Sequence, residues 1–151
     1  MYRTASKSLE KWNSSAKRKP LILMGARQVG KTWLMNDFAA RHYPQDTVRV
    51  DLQKNESLRL AIDASDLDPK ALIDCIQAFT GKVITPGKTL LIIDEIQESP
   101  KALNSLKYFN EELPELAILV AGSLLGLAMG KSSEKRQQRR NSFPVGKVSF
   151  L

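Results

Sequence analysis

The chain has 151 residues, of which 42% are hydrophobic and 26% charged, with a formal net charge of +7. Those figures suit one globular domain large enough to bury a core. The single cysteine, Cys75, excludes an intrachain disulfide and fits a reducing cytoplasm, and Met1 to Pro20 lacks the apolar run of a secretory signal.

In chain order, Ser6 to Ala16 reads as an amphipathic helix, with Leu9 and Trp12 three apart, and is followed by the basic turn Lys17-Arg18-Lys19-Pro20. Residues 1–20 form this leading helix and turn, and 21–151 form the core. The apolar run Leu21-Ile22-Leu23-Met24 reads as a buried strand, and Gly25-Ala26-Arg27-Gln28-Val29-Gly30-Lys31-Thr32 follows it directly. This is GxxxxGKT. Glycines at both ends let the backbone curl until successive N–H groups point at one anion. A helix starting near Lys31 adds the positive end of its dipole. Lys31 is then placed to reach the β- and γ-phosphates of a nucleotide, and the Thr32 hydroxyl to ligate Mg²⁺.

The alternative is an accidental Gly-rich turn, but average composition yields only about 4 such matches per 100,000 positions. The strand before the motif and the helical spacing of Leu34, Met35, Phe38 and Ala39 after it also favour the phosphate loop. Within the nucleotide-binding stretch, Arg27 is either a phosphate contact or, as a Cα on the outer arc of the loop favours, a structural or surface residue. Trp33 packs under the loop or beside the nucleotide, with a core position favoured for so large a side chain.

Val48 to Leu52 alternates and reads as a second strand. Asp68-Pro69 pairs an N-cap acid with proline at the first helical position. Leu72, Ile73, Ile76 and Phe79 form the buried stripe of that helix, and Gly81 ends it. Cys75 is a buried small hydrophobe there rather than a nucleophile. His42 has no Cys or His companion at metal spacing.

After a turn at Pro86-Gly87, Thr89-Leu90-Leu91-Ile92-Ile93-Asp94-Glu95 is a continuous aliphatic run ending in two acids. Such a run is a strand buried on both faces, which delivers its last residues to the sheet edge where α/β folds bind ligands. Acids there need a cation: Asp94 suits Mg²⁺, usually held through water, and Glu95 suits a base that polarises an attacking water. A pair of exposed acids capping the next turn is the bland alternative, which the upstream phosphate loop disfavours.

Ser99-Pro100 starts another helix, with Leu103, Leu106, Phe109 and Leu113 inward. Leu116 to Ala121 is a further strand, and Leu116 to Gly130 is too short and glycine-rich to span a membrane. Ser123, past the strand tip, either senses the γ-phosphate and positions water or belongs to a simple Gly-Ser turn. The basic run from Lys131 to Arg140 is a solvated loop, the source of an arginine finger acting in trans through Arg136, Arg139 or Arg140, or a nucleic-acid contact. Pro144 and Gly146 introduce a last strand, Lys147 to Leu151. Strands alternating with helices call for an α/β fold with a parallel sheet.

GARQVGKT, LLIIDEIQ, VAGSLLG and SFPVGKVSFL together resemble the bacterial and archaeal AAA-type ATPases of the GxRQxGKT kind, from about Arg3 to Leu151. The resemblance implies a P-loop nucleotidase of the ASCE class: a doubly wound, five-stranded parallel sheet in the order 5-1-4-3-2 with helices on both faces. It implies ATP and Mg²⁺ as cofactors, Lys31 and Thr32 on phosphate and metal, Asp94 as the acidic Mg²⁺ partner and Glu95 as base. Ser123 takes the sensor position, where many relatives carry Asn. Such proteins usually continue past this point, so a chain ending at Leu151 reads as a C-terminally truncated member. The expectation is a cytoplasmic ATPase, with homo-oligomer or protein partners, nucleic acid as a weaker candidate, and no membrane. The rival is a nucleotide-binding switch with negligible turnover.

Overall fold

The computed structural model describes residues 2–15, 18–25, 30–123 and 146–150. Its first helix, α1 (Tyr2–Ser14), starts four residues ahead of the expected Ser6, because Ala5 joins Leu9 and Trp12 in one buried stripe. The Trp12 indole donates to the Lys19 carbonyl at 2.6 Å, which turns the chain into β1 (Leu21–Gly25). The next elements are α2 (Lys31–His42), β2 (Thr47–Asp51), α3 (Glu56–Ala64) and α4 (Pro69–Thr80). They are followed by β3 (Leu90–Asp94), a 3-10 turn over Ile96–Glu98, α5 (Pro100–Glu112), β4 (Ala117–Ser123) and β5 (Gly146–Phe150).

All neighbouring strands run parallel. The order β1-β4-β3-β2 is the one the resemblance implies, and the backbone of β5 pairs on the other side of β1. Alternation along the strands splits the core in two. Leu91, Ile93, Ile118 and Val120 face α3, α4 and α5, packing with Leu58, Ile62, Leu72, Ile76, Leu106 and Phe109. Leu90, Ile92, Leu119 and Ala121 face the other way, against α1 and α2, with Leu9, Trp12, Leu34, Met35 and Phe38. Covering both faces is what permits near-continuous aliphatic strands.

Three local readings change. Helix α3 is not foreseen in the sequence, since its nine residues bury only Leu58 and Ile62. Phe79 is 43% exposed rather than part of the buried stripe, which runs through Leu72, Ile73 and Ile76. Gly122 and Ser123 are strand and not turn, because β1 continues beside them and pairs Met24 with Gly122 and Gly25 with Ser123. Cys75 is half-buried, packed against the α3–α4–α5 core. Among the described residues, no helix is long and apolar enough to cross a membrane.

Candidate nucleotide site

The C-terminal edge of the sheet gathers the sequence-predicted residues. Gly25 ends β1, Asp94 ends β3 and Ser123 ends β4, which lies between them. Ala26, Arg27, Gln28 and Val29 lie outside the described residues, as do Arg136, Arg139 and Arg140. Gly30 precedes α2 with φ 85°, a left-handed conformation that glycine adopts without steric cost. Its carbonyl accepts from Leu34 N at 3.0 Å and so starts the helix.

Lys31, the first residue of α2, is only 9% exposed, and its ammonium donates to the Gly122 carbonyl at 2.7 Å. That bond sets the charge at the tips of β1 and β4. Thr32 is exposed in the same first turn. Trp33 does not take the expected core position: it is 60% exposed, because α2 turns Leu34, Met35 and Phe38 toward the sheet and position 33 away from it.

Asp94 is 8% exposed, and its Oδ2 accepts from Arg49 of β2, from Nε at 3.0 Å and from Nη2 in a short ion pair. Burial pushes the Asp94 carboxyl above its ordinary value, while the Arg49 hydrogen bonds and charge work against that rise. Glu95 leaves the strand at φ 54°, the one non-glycine residue with positive φ among those described. A left-handed glutamate is strained, and such strain persists where surrounding structure over-determines it. Here the constraints are the end of β3, the 3-10 turn that Glu95 opens, and a hydrogen bond from Gln97 Nε2 to Glu95 Oε2. Gln97 Oε1 is buried without a partner among the described residues.

Arg49, Asn36 and Gln97 were missed in the sequence reading. The available signal was Arg49 itself, a cation inside the alternating strand Val48-Arg49-Val50, which has to find an anion near the sheet. His42 instead pairs with Glu10, Nε2 to Oε2 at 2.8 Å.

A glycine-led helix start, a lysine bound to a strand tip and an acid-tipped neighbouring strand define a P-loop nucleotide-binding α/β domain. A family model described as AAA domain matches residues 17–151, and the chain belongs to that family, whose members are typically ATPases. No curated protein matches the chain at a significant level. Among solved structures, the fold is similar to the Aeropyrum pernix ORC1 protein in complex with DNA (14% identity, TM-score 0.53), matching over 99% of this chain and 44% of that one. A chain from Streptococcus pyogenes serotype M3 described as a primosome component matches at 17% identity and TM-score 0.56, over 98% of this chain and 76% of its own. Drosophila ORC bound to DNA matches at 16% identity and TM-score 0.52, over 99% and 90%. At these identities the likeness is one of fold, and the chain spans under half the length of the Aeropyrum protein.

Proposed function

We propose that the chain binds Mg-ATP at the C-terminal edge of the sheet and hydrolyses it. The observation that carries this reading is the Lys31 ammonium held against Gly122 O, beside the strand that ends in Asp94 and is followed by Glu95. Residues 25–33 would cradle the phosphates, with Lys31 on the β- and γ-phosphates. The donors at hand fit Mg²⁺: one hydroxyl (Thr32) and one carboxylate (Asp94) suit an ion that binds one or two protein oxygens, water and phosphate. When bound, the ion neutralises charge on the transferring phosphoryl group.

Glu95 would accept a proton from the attacking water as the new O–P bond forms. The bond to the β–γ bridging oxygen breaks in line, and its electron pair leaves with ADP. Ser123, at the tip of the strand between phosphate loop and acids, would contact the γ-phosphate or the water. The backbone strain at Glu95 and its bond from Gln97 support a fixed base rather than a solvated acid.

Phosphate release under single-turnover conditions tests the reading. Glu95→Gln keeps shape but accepts no proton, so ATP should bind with unchanged affinity while hydrolysis falls about 10²–10⁴-fold. Hydrolysis at the wild-type rate removes Glu95 as base. Binding without turnover in the wild type itself favours a nucleotide switch.

A further inference from the structure

Arg49 lies on β2 in register with Ile92 of β3. Its neighbours Val48 and Val50 are buried toward α3, α4 and α5, so strand alternation turns Arg49 to the α1–α2 face. Asp94, two residues beyond Ile92, is on that same face, and the guanidinium reaches along the sheet to it. The remaining terminal nitrogen, Nη1, donates to Asn36 Oδ1 on α2. One side chain therefore touches the acid at the tip of β3 and the helix that begins with Lys31. Asp94 itself stands among acids at this edge, since Asp51 pairs in register with it and Glu95 follows it.

The manner of contact is informative. A guanidinium fork can span both oxygens of a carboxylate. Here Nε and Nη2 both go to Oδ2. That convergence anchors Oδ2 beside β2 and leaves Oδ1 without a contact to Arg49.

We propose that Arg49 is a positioning residue for the metal–nucleotide complex. It orients Asp94 through Oδ2 and, through Asn36, ties that acid to the helix carrying the phosphate loop. The proposal rests on the reading of Asp94 given above. It has an ordinary competitor, a salt bridge that merely fastens β2 and α2 to β3. The two differ in what they do to metal dependence, because partners of a metal's ligands typically change metal affinity 10–100-fold.

The test is binding of a fluorescent, non-hydrolysable ATP analogue by the full chain, titrated with Mg²⁺ and repeated in EDTA, alongside thermal unfolding without nucleotide. For Arg49→Met, the Mg²⁺ concentration giving half-maximal binding should rise about tenfold or more, while affinity in EDTA stays within about twofold. Arg49→Lys keeps the charge without the two-pronged grip and should fall between Met and wild type. Should the Met variant not fold, a rise of about threefold or more in the Lys variant supports the proposal. A lowered melting temperature with an unmoved Mg²⁺ midpoint overturns it in favour of the fastener. An Asp94→Ala variant with wild-type Mg²⁺ dependence overturns the site reading itself, and the role of Arg49 with it.

Discussion

Helices α4 and α5 close their own N-termini, whereas α2 does not. Asp68 accepts from Lys70 N at 3.2 Å ahead of Pro69, and Ser99 accepts from Ala102 N at 3.1 Å ahead of Pro100. Each cap satisfies amide donors that the helix itself cannot. Helix α2 begins instead at Gly30, with no side-chain oxygen to offer, no acid in its first turn and a lysine as its first residue. Helix α3 also lacks a side-chain cap bond, but it places Glu56 in its first turn, against the positive end of its dipole. The difference teaches how to tell a helix start that serves the fold from one suited to an anion. The side-chain-capped starts belong to α4 and α5, which pack with α3 on one face of the sheet, whereas α2 starts at the sheet edge with Lys31 and the tips of β3 and β4.

Exchanging the two kinds of start should affect different observables. Lys31→Ala should have the largest effect, on binding: loss of a charge-assisted contact worth about 2–3 kcal/mol weakens Mg-ATP affinity roughly 100-fold. The melting temperature should barely move, and a fluorescence titration beside a melt checks both. Ser99→Ala should do the reverse. Ser99 is fully buried and its hydroxyl also donates to Asp63 at 2.8 Å, so cap and bridge together cost about 2–3 kcal/mol of stability in denaturant unfolding. Nucleotide affinity, corrected for the folded fraction, should be unchanged.

Asp68→Ala removes a more exposed cap and should cost about 1 kcal/mol by the same measurement. The smallest effect concerns the junction of α1 with α2, where Glu10 meets Arg41 at 2.7 Å and His42 at 2.8 Å. The hydrogen bond from His42, with the nearby charges of His42 and Arg41, holds the Glu10 carboxyl below its ordinary value. Its stabilisation is therefore present above the ordinary carboxylate value and is lost as pH falls through the lowered one. Glu10→Gln should lower stability by less than about 1 kcal/mol near neutrality, and melts across pH should show that gap closing in acid.

Local chemistry made the capped helices legible in the sequence. Asp68-Pro69, Gly81 and Ser99-Pro100 each carry their signal within a few residues, and the aliphatic run ending at Asp94 needs no partner to declare itself a buried strand. What the sequence did not reveal depends on distant partners. Gly122 and Ser123 become strand because β1 runs beside them, and Trp33 is exposed because of how α2 sits on the sheet. The Arg49–Asp94 contact joins residues 45 apart, a separation that no local pattern reports. Helix α3 was missed for a different reason, since two buried residues make too thin a stripe for periodicity to register.

The central claim is that the edge where α2 begins holds the terminal phosphates of Mg-ATP. Calorimetric titration of the wild-type chain with Mg-ATP and then with Mg-AMP tests it most directly, because the adenosine end is common to both. The account predicts a one-site isotherm for Mg-ATP and affinity for Mg-AMP weaker by roughly 100-fold or more, the loss of about 2.7 kcal/mol of phosphate contacts. Equal affinity for the two, or no binding of Mg-ATP, would contradict it.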